Sequence, residues 1–498
     1  MKRQYYFLIL PLLLALYGCD TSSSSFSEAS EEKQFVWNGL NLWYFWQDDT
    51  DRVPDLADDR FTDNGEFHDF LNRFSDERQL FNSLLHPMDD FSWFIEDYIE
   101  HEEARQGISR SFGFRYGIVR IADDSNLLFG YVQYVVPDSP ADQAGLKRGD
   151  IFNRVNGTQL TLNNYNSLLQ NDTYTLTLSE IENGGFNERI ETDPFSSVVL
   201  QENPIHPATG IIHTSSAKVG YLVYNAFRFN FHEELNDVFA QFKNEQVDEL
   251  VIDLRYNSGG TLITAAMLAG LISGLNEEPT FARLIYNEKQ SERNTLFPVF
   301  DAVPVYDNEG NFDEWINMNQ LNLDRVFVLT ANWTASASET LMNGLEPYME
   351  VIQIGSTTRG KDEGSITVYD SPPNYNNRDQ ANPKHMRAMQ PIVFKIFNSL
   401  DQDYPFGFTP LQENSLVEFQ SPYLQNMRPL GDPDELLLAR ALQIITGVDP
   451  VAKAVAPDFH PVGEMIFDSG QMIPFNDDVY LLPAEVEEYG LMRDLYDN

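Results

Sequence analysis

Val326-Phe327-Val328-Leu329-Thr330-Ala331-Asn332-Trp333-Thr334-Ala335-Ser336-Ala337-Ser338-Glu339-Thr340-Leu341-Met342-Asn343-Gly344-Leu345 is the stretch around which the reading of this 498-residue chain turns. Its first four residues are an apolar run that reads as a buried strand. From Thr340 apolar residues recur at helical spacing, which places Ser336 at a strand-to-helix junction, its hydroxyl beside the positive end of a helix. After a further apolar strand, Val351-Ile352-Gln353-Ile354, and a turn over 355–360, stands Lys361. Strand, helix, strand is an arrangement that can carry a lysine back to a serine, and the two read as a Ser–Lys dyad. On its own, Ser336-Ala337-Ser338-Glu339 more often means a helix capping box. The rest of the chain decides between the two.

The residues before this stretch show the same alternation. Val219-Gly220-Tyr221-Leu222-Val223-Tyr224 reads as a strand, and Leu235, Val238, Phe239 and Phe242 fall at the spacing of an amphipathic helix. Glu249-Leu250-Val251-Ile252-Asp253-Leu254-Arg255 is a second strand, entering Tyr256-Asn257-Ser258-Gly259-Gly260 ahead of a helix over 262–272. Repeating β-α units imply a layered α/β core. A loop at the C-terminal end of a core strand is where open α/β sheets place ligands. Backbone bare of side chains at Gly259 and Gly260 suits N–H groups aimed at a developing oxyanion, although paired glycines also serve as plain tight turns.

Further upstream, Tyr131-Val132-Gln133-Tyr134-Val135 reads as a strand. Ser139-Pro140-Ala141-Asp142-Gln143-Ala144-Gly145-Leu146 reads as a short helix with Ser139 as cap and Gly145 as stop. Lys147-Arg148-Gly149-Asp150 turns into the strand 151–155, which ends on the hairpin signal Asn156-Gly157. This run resembles the PDZ signature. Phe112-Gly113-Phe114 stands where a PDZ domain has the loop that takes a peptide's terminal carboxylate, the peptide then extending the sheet as an added strand.

Composition bounds the function. Aromatic residues are 13% of the chain and hydrophobic residues 42%, enough for sizeable cores. Lys plus Arg is 33 against Asp plus Glu 76, a formal charge of −43, which makes nucleic acid a poor partner, and none is expected. Lys2 and Arg3 precede an apolar stretch at 5–16, too short to span a bilayer, which ends in Leu16-Tyr17-Gly18-Cys19. Cys19 is the single cysteine, so no disulfide within the chain is available. The pattern resembles a bacterial lipoprotein signal with lipidation at Cys19, and it sets the expected localisation at a bacterial cell envelope, lipid-anchored, facing the periplasm or exposed at the surface. A polar tether follows, and then an aromatic-rich helix from about Gln34.

Taken together, residues 253–260, Ser336-Ala337-Ser338-Glu339 and Gly360-Lys361, behind a PDZ-like segment, resemble the C-terminal processing (tail-specific) serine proteases. The resemblance implies an α/β, ClpP/crotonase-like catalytic core with an inserted PDZ-like β-rich domain and a small N-terminal helical domain. The expected limits are a signal peptide at 1–18, a tether at 19–33, the helical domain at 34–105, the PDZ-like domain at 106–182, the catalytic domain at 183–448 and a tail at 449–498. The resemblance also implies a serine endopeptidase that cuts proteins near free C-termini, with no metal or organic cofactor. Ser336 would be the nucleophile, Lys361 the base, and Ala337 with one of Gly259 and Gly260 the oxyanion hole. Phe112, Gly113 and Phe114 would hold the substrate carboxylate.

A serine hydroxyl needs a base within hydrogen-bond reach. Lysine serves only when uncharged, which burial favours and a contacting carboxylate opposes. Asp362 and Glu363 follow Lys361 directly and must therefore point away from the dyad. Family members often carry a glutamine four residues after the lysine; here that position is Ser365. Two alternatives stand beside this reading: an inactive PDZ peptide-binding scaffold, and a Ser–His–Asp triad drawn from the eight histidines.

Overall fold

The computed structural model describes residues 27–482, apart from 58–60, 62–64, 183–184, 277–278, 308–310, 421–422, 425–426, 449–461 and 473–477. Cys19 and the expected signal peptide lie outside the described residues.

The repeating β-α pattern folds as expected. A five-stranded sheet runs Gly210–His213, Lys218–Val223, Glu249–Asp253, Arg325–Thr330, Glu350–Gly355. Its last four strands are parallel, with Val251 beside Phe327 and Phe327 beside Ile352. They read as continuous apolar runs because both faces are covered, as parallel sheets require. Helix Leu262–Ser273 is buried along almost its whole length, and helix Ala337–Leu345 is buried throughout.

A second sheet supplies the opposite wall of the core, in the order Gly260–Thr261, Val479–Tyr480, Glu363–Ser365, Ile392–Phe397, Thr280–Tyr286, Thr295–Pro298. None of these strands was legible in the sequence. Thr280–Tyr286 lies in what reads as a polar insertion over 276–323, yet it pairs with Ile392–Phe397 in the core. Val479–Tyr480 lies in the tail, which shows no regular pattern of its own.

The N-terminal helices Glu31–Trp43, Gly65–Leu71, Glu77–Ser83 and Tyr98–Arg105 do not enclose a core of their own. Phe35, Leu40, Trp43, Phe70 and Leu80 join the same buried cluster as Leu222, Leu271 and Phe394. Strand Trp93–Ile95 also pairs with Ala388–Gln390. The helical unit is therefore one face of the α/β core.

The PDZ-like unit has a separate core around Tyr116, Ile118, Leu128, Phe152 and Leu176. Its sheet runs Met465–Asp468, Phe114–Arg120, Leu128–Val135, Ile151–Val155, Leu176–Glu182, Gly185–Glu191. Ser139 caps its short helix as expected, accepting from Asp142 N–H. The C-terminal helix spans Leu436–Thr446 and is capped by Glu435, whose carboxylate accepts from Leu437 and Leu438 N–H and also receives Arg255 from the core. Gly447 ends it at φ 66°, a conformation glycine adopts without penalty.

Buried His232 bonds the Pro304 carbonyl through Nδ1 at 2.7 Å and Thr264 Oγ1 through Nε2 at 2.6 Å, and burial pulls its pKa down to about 4. The unfolded imidazole titrates near 6.5, so below that pH the unfolded chain binds the extra proton. Stability contributed by the neutral ring is thus present above pH 6.5 and lost as pH falls toward 4, by up to about 3 kcal/mol. Urea unfolding midpoints measured between pH 7 and 4 should fall accordingly, and His232→Gln should flatten that slope.

Candidate active site

Ser336 stands where strand Arg325–Thr330 gives way to helix Ala337–Leu345, with φ 62° and ψ −118°. A non-glycine residue with these angles costs about 1–3 kcal/mol and persists only where surroundings over-determine it. Here they do. Thr334 Oγ1 donates to the Leu254 carbonyl at 2.8 Å, and Thr340 N–H closes on the Ser336 carbonyl at 2.7 Å. The Asn257 carbonyl accepts from Ala335 N–H and from Ser338 Oγ, both at 3.3 Å. Asn257 also donates to the Tyr224 carbonyl at 2.8 Å and accepts from Gly259 N–H at 2.9 Å. One residue, through its carbonyl and its side chain together, thus stitches the serine loop to the glycine loop.

Glu339 sits three residues after Ser336 and is wholly buried. Its Oε2 accepts from Ser336 N–H and Lys361 N–H, each at 2.9 Å. Its Oε1 accepts from Thr358 Oγ1 at 2.5 Å and Gly360 N–H at 2.7 Å. The capping reading of the tetrapeptide therefore holds for the glutamate, and the same carboxylate places Lys361. The capping and catalytic readings are not rivals. Burial raises the Glu339 pKa against the pull of these donors.

The glycine loop faces the serine from the other side. Gly259 and Gly260 have φ of 131° and 138°. A Cβ on Gly259 would lie 3.0 Å from Ser336 Oγ and 2.4 Å from the Asp478 carbonyl oxygen. The Gly259 N–H is committed to Asn257, whereas the Gly260 N–H points into the cleft and donates to the Asp478 carbonyl at 2.7 Å. Of the two glycines, Gly260 is thus the one whose N–H is not taken up within its own loop. Ala337, buried, is the first residue of the serine's helix.

Lys361 is fully buried. Asp362 and Glu363 point away from it, as the dyad requires, and share Lys395 at 2.9 and 2.7 Å. The expected Ser336–Lys361 hydrogen bond is nevertheless not made. Among the described residues Ser336 Oγ has no hydrogen-bond partner, histidine included. Lys361 Nζ instead meets Asp478 Oδ1 at 3.1 Å and lies over the rings of Phe91, at 4.8 Å, and Trp93, at 5.9 Å. The carboxylate that reaches the amine belongs to the tail and not to the neighbouring acids. Ser365 donates to both Asp478 oxygens, at 2.7 and 2.8 Å, and itself accepts from Gln390 Nε2 at 2.7 Å. Asp478, Gln390, Phe91 and Trp93 escaped the sequence reading because nothing in their local spacing links them to Lys361.

Phe112, Gly113 and Phe114 lie in the PDZ-like unit, apart from this cleft, and border a cavity of about 330 Å³ that also touches Arg115, Tyr134 and Glu202. Three features depart from the expected open carboxylate loop. Gly113 N–H is taken by Ser111 Oγ at 3.0 Å, and the Phe112 ring stacks on Tyr174 at 4.3 Å. The strand edge beside the loop is also already paired with Met465–Asp468.

Three sequence profiles match: peptidase family S41 over residues 218–371, the N-terminal domain of that family over 31–93, and a PDZ domain over 131–182. Residues 218–371, which carry Ser336 and Lys361, are thus similar to peptidase family S41. Among curated S41-like relatives, a probable CtpA-like serine protease of Staphylococcus aureus (strain COL) is 24% identical over 229 residues, which is 45% of this chain and 40% of that protein. Carboxyl-terminal-processing peptidase 3, chloroplastic, of Arabidopsis thaliana is 26% identical over 240 residues, 46% of this chain and 42% of that one. The chain thus matches about two fifths of the length of these relatives. A crystal structure from Bacteroides fragilis NCTC 9343, assigned to the S41 proteases, superposes with a TM-score of 0.63 at 27% identity, covering 83% of this chain and 97% of the other.

Removing the Glu339 carboxylate leaves four buried donors unpaired. Glu339→Ala should destabilise the protein by about 3 kcal/mol or more, whereas Glu339→Gln, which keeps part of the acceptor set, should cost less. Denaturant titration of both variants checks this.

Proposed function

We propose that this chain is a serine endopeptidase of the C-terminal processing type, with Ser336 as nucleophile and Lys361 as general base. The observation that carries the reading is the Gly260 N–H, which donates to the carbonyl of an extended strand lying against Ser336. That is the placement an oxyanion donor needs. In the reaction Ser336 Oγ attacks a substrate carbonyl while Lys361 takes its proton. The Gly260 and Ala337 N–H groups hold the oxygen as charge develops, and Lys361 returns the proton to the leaving amine. Glu339 fixes the backbone of both Ser336 and Lys361 and so acts as a positioning residue. The step requires a neutral lysine, hence withdrawal of the Asp478 carboxylate.

The substrates are proteins with free C-termini, which the PDZ-like unit grips through the loop at 112–114. The chain acts from a lipid anchor at Cys19 in a bacterial cell envelope, without metal or cofactor. The Lys361–Asp478 ion pair favours one second reading, a peptide-holding scaffold without turnover.

Hydrolysis of an unfolded protein with an apolar C-terminus separates the two. Ser336→Ala and Lys361→Ala should each lower turnover at least about a thousandfold while thermal unfolding shows an intact fold. Equal rates in the Ser336→Ala form and the parent protein would leave only the scaffold. Amidating the substrate's terminal carboxylate should raise KM about tenfold with little change in kcat, the loss of one charge-assisted contact.

A further inference from the structure

Two stretches of the C-terminal tail lie where a substrate chain would. The first is Met465–Asp468, paired antiparallel to the edge of Phe114–Arg120 with Met465 opposite Val119 and Asp468 opposite Gly117. It therefore runs toward the loop at 112–114. Phe467 packs its ring near Tyr116, at 6.4 Å, and near Tyr165 of the helix Tyr165–Leu169, at 6.0 Å. Ser469 Oγ accepts from Tyr116 N–H at 2.8 Å. An extended chain added to this edge, with a side chain between strand and helix, is how a PDZ fold takes a peptide.

The second stretch is residues 478–482. Val479 and Tyr480 insert between Gly260–Thr261 and Glu363–Ser365, parallel to both. The backbone is held on both sides, by Gly260 N–H to the Asp478 carbonyl at 2.7 Å and by Leu481 N–H to the Ser365 carbonyl at 3.3 Å. Side chains alternate as a strand requires. Val479 and Leu481 enter the main core, while Tyr480 and Leu482 pack on Phe229. The Arg105 guanidinium covers the Tyr480 ring at 3.7 Å. The Asp478 carboxylate is held by Lys361 Nζ at 3.1 Å, by Ser365 Oγ, by Gln390 Nε2 at 3.2 Å and by Arg105 Nη2 at 3.6 Å.

This strand consumes the two groups that catalysis at Ser336 needs, the Gly260 N–H and the Lys361 amine. A permanent strand there is incompatible with turnover. We propose that the tail is a built-in substrate mimic: Met465–Asp468 fills the peptide edge of the PDZ-like unit, residues 478–482 fill the cleft at Ser336, and the chain rests inhibited until a substrate displaces both. The inference rests on the protease reading of that cleft. It also names the substrate class, an extended chain whose side chains alternate between the two apolar pockets that Val479 and Leu481, and Tyr480 and Leu482, fill.

Two full-length variants test it. Asp478→Asn removes the charge on Lys361, and Leu481→Pro removes the N–H given to Ser365. Each should raise the rate at which a fluorophosphonate labels Ser336 about tenfold, the equivalent of one charge-assisted contact. Unchanged or slower labelling in both, with melting curves that show a folded protein, would make the strand a permanent part of the core and overturn the proposal. A second measurement does not depend on turnover. A fluorescent Asp-Val-Tyr-Leu-Leu peptide should bind Ser336→Ala/Leu481→Pro at least about tenfold tighter than Ser336→Ala. Equal affinities would overturn the proposal. Tighter binding with no labelling or hydrolysis in any form would instead sink the protease reading and leave the tail as the occupant of a peptide-holding cleft.

Discussion

One buried carboxylate holds this site together. Glu339 accepts four hydrogen bonds, two from the segment that carries the serine and the lysine themselves and two from the turn between them. A buried acid without such donors is costly, and with them it becomes a rigid joint. The joint explains how Ser336 keeps a backbone conformation that costs about 1–3 kcal/mol, since its N–H is fixed to Glu339 while its carbonyl is fixed to Thr340. It also explains why a lysine with no neighbour in sequence near the serine arrives at the same cleft.

The electrostatics of the cleft follow from where acids are allowed to go. Lys395 draws off both carboxylates next to Lys361, and burial raises the pKa of each against that pull. Phe91 and Trp93, from the N-terminal unit, close the remaining approach with apolar rings. The amine pairs with Asp478, from a strand inserted between the two arms of the site.

Much of this was legible in the residues. Apolar runs at 249–255 and 326–329 became parallel strands because both faces of the sheet are covered. The Ser336–Glu339 spacing gave the helix start, and the order of glycines and proline at 139–157 gave the PDZ-like hairpin and helix. What stayed hidden has a common physical cause. Strand Thr280–Tyr286 is embedded in polar sequence that itself forms the hairpin Ala302–Tyr306 with Phe312–Asn317. Met465–Asp468 and Val479–Tyr480 are short segments that pair with strands more than a hundred residues away. Asp478 reaches Lys361 across 117 positions, and no local period encodes such a contact.

The PDZ-like unit meets the core through dry charge. Arg115 donates to the Tyr256 carbonyl, and Arg148 reaches the Tyr256 hydroxyl and Glu418. Arg255, next in sequence, is locked between Asp253 and Glu435, whose pKa burial would raise but Arg255 holds at about 2. Buried charges with every partner in place resist screening by salt and tolerate little sliding. Tyr256 is also three residues from Gly259, so the gripping unit and the cutting loop are bolted to one another. On the proposed protease reading, a chain held by its end is thereby measured against a ruler of fixed length, and the bond presented to Ser336 is chosen by how far it lies from the grip.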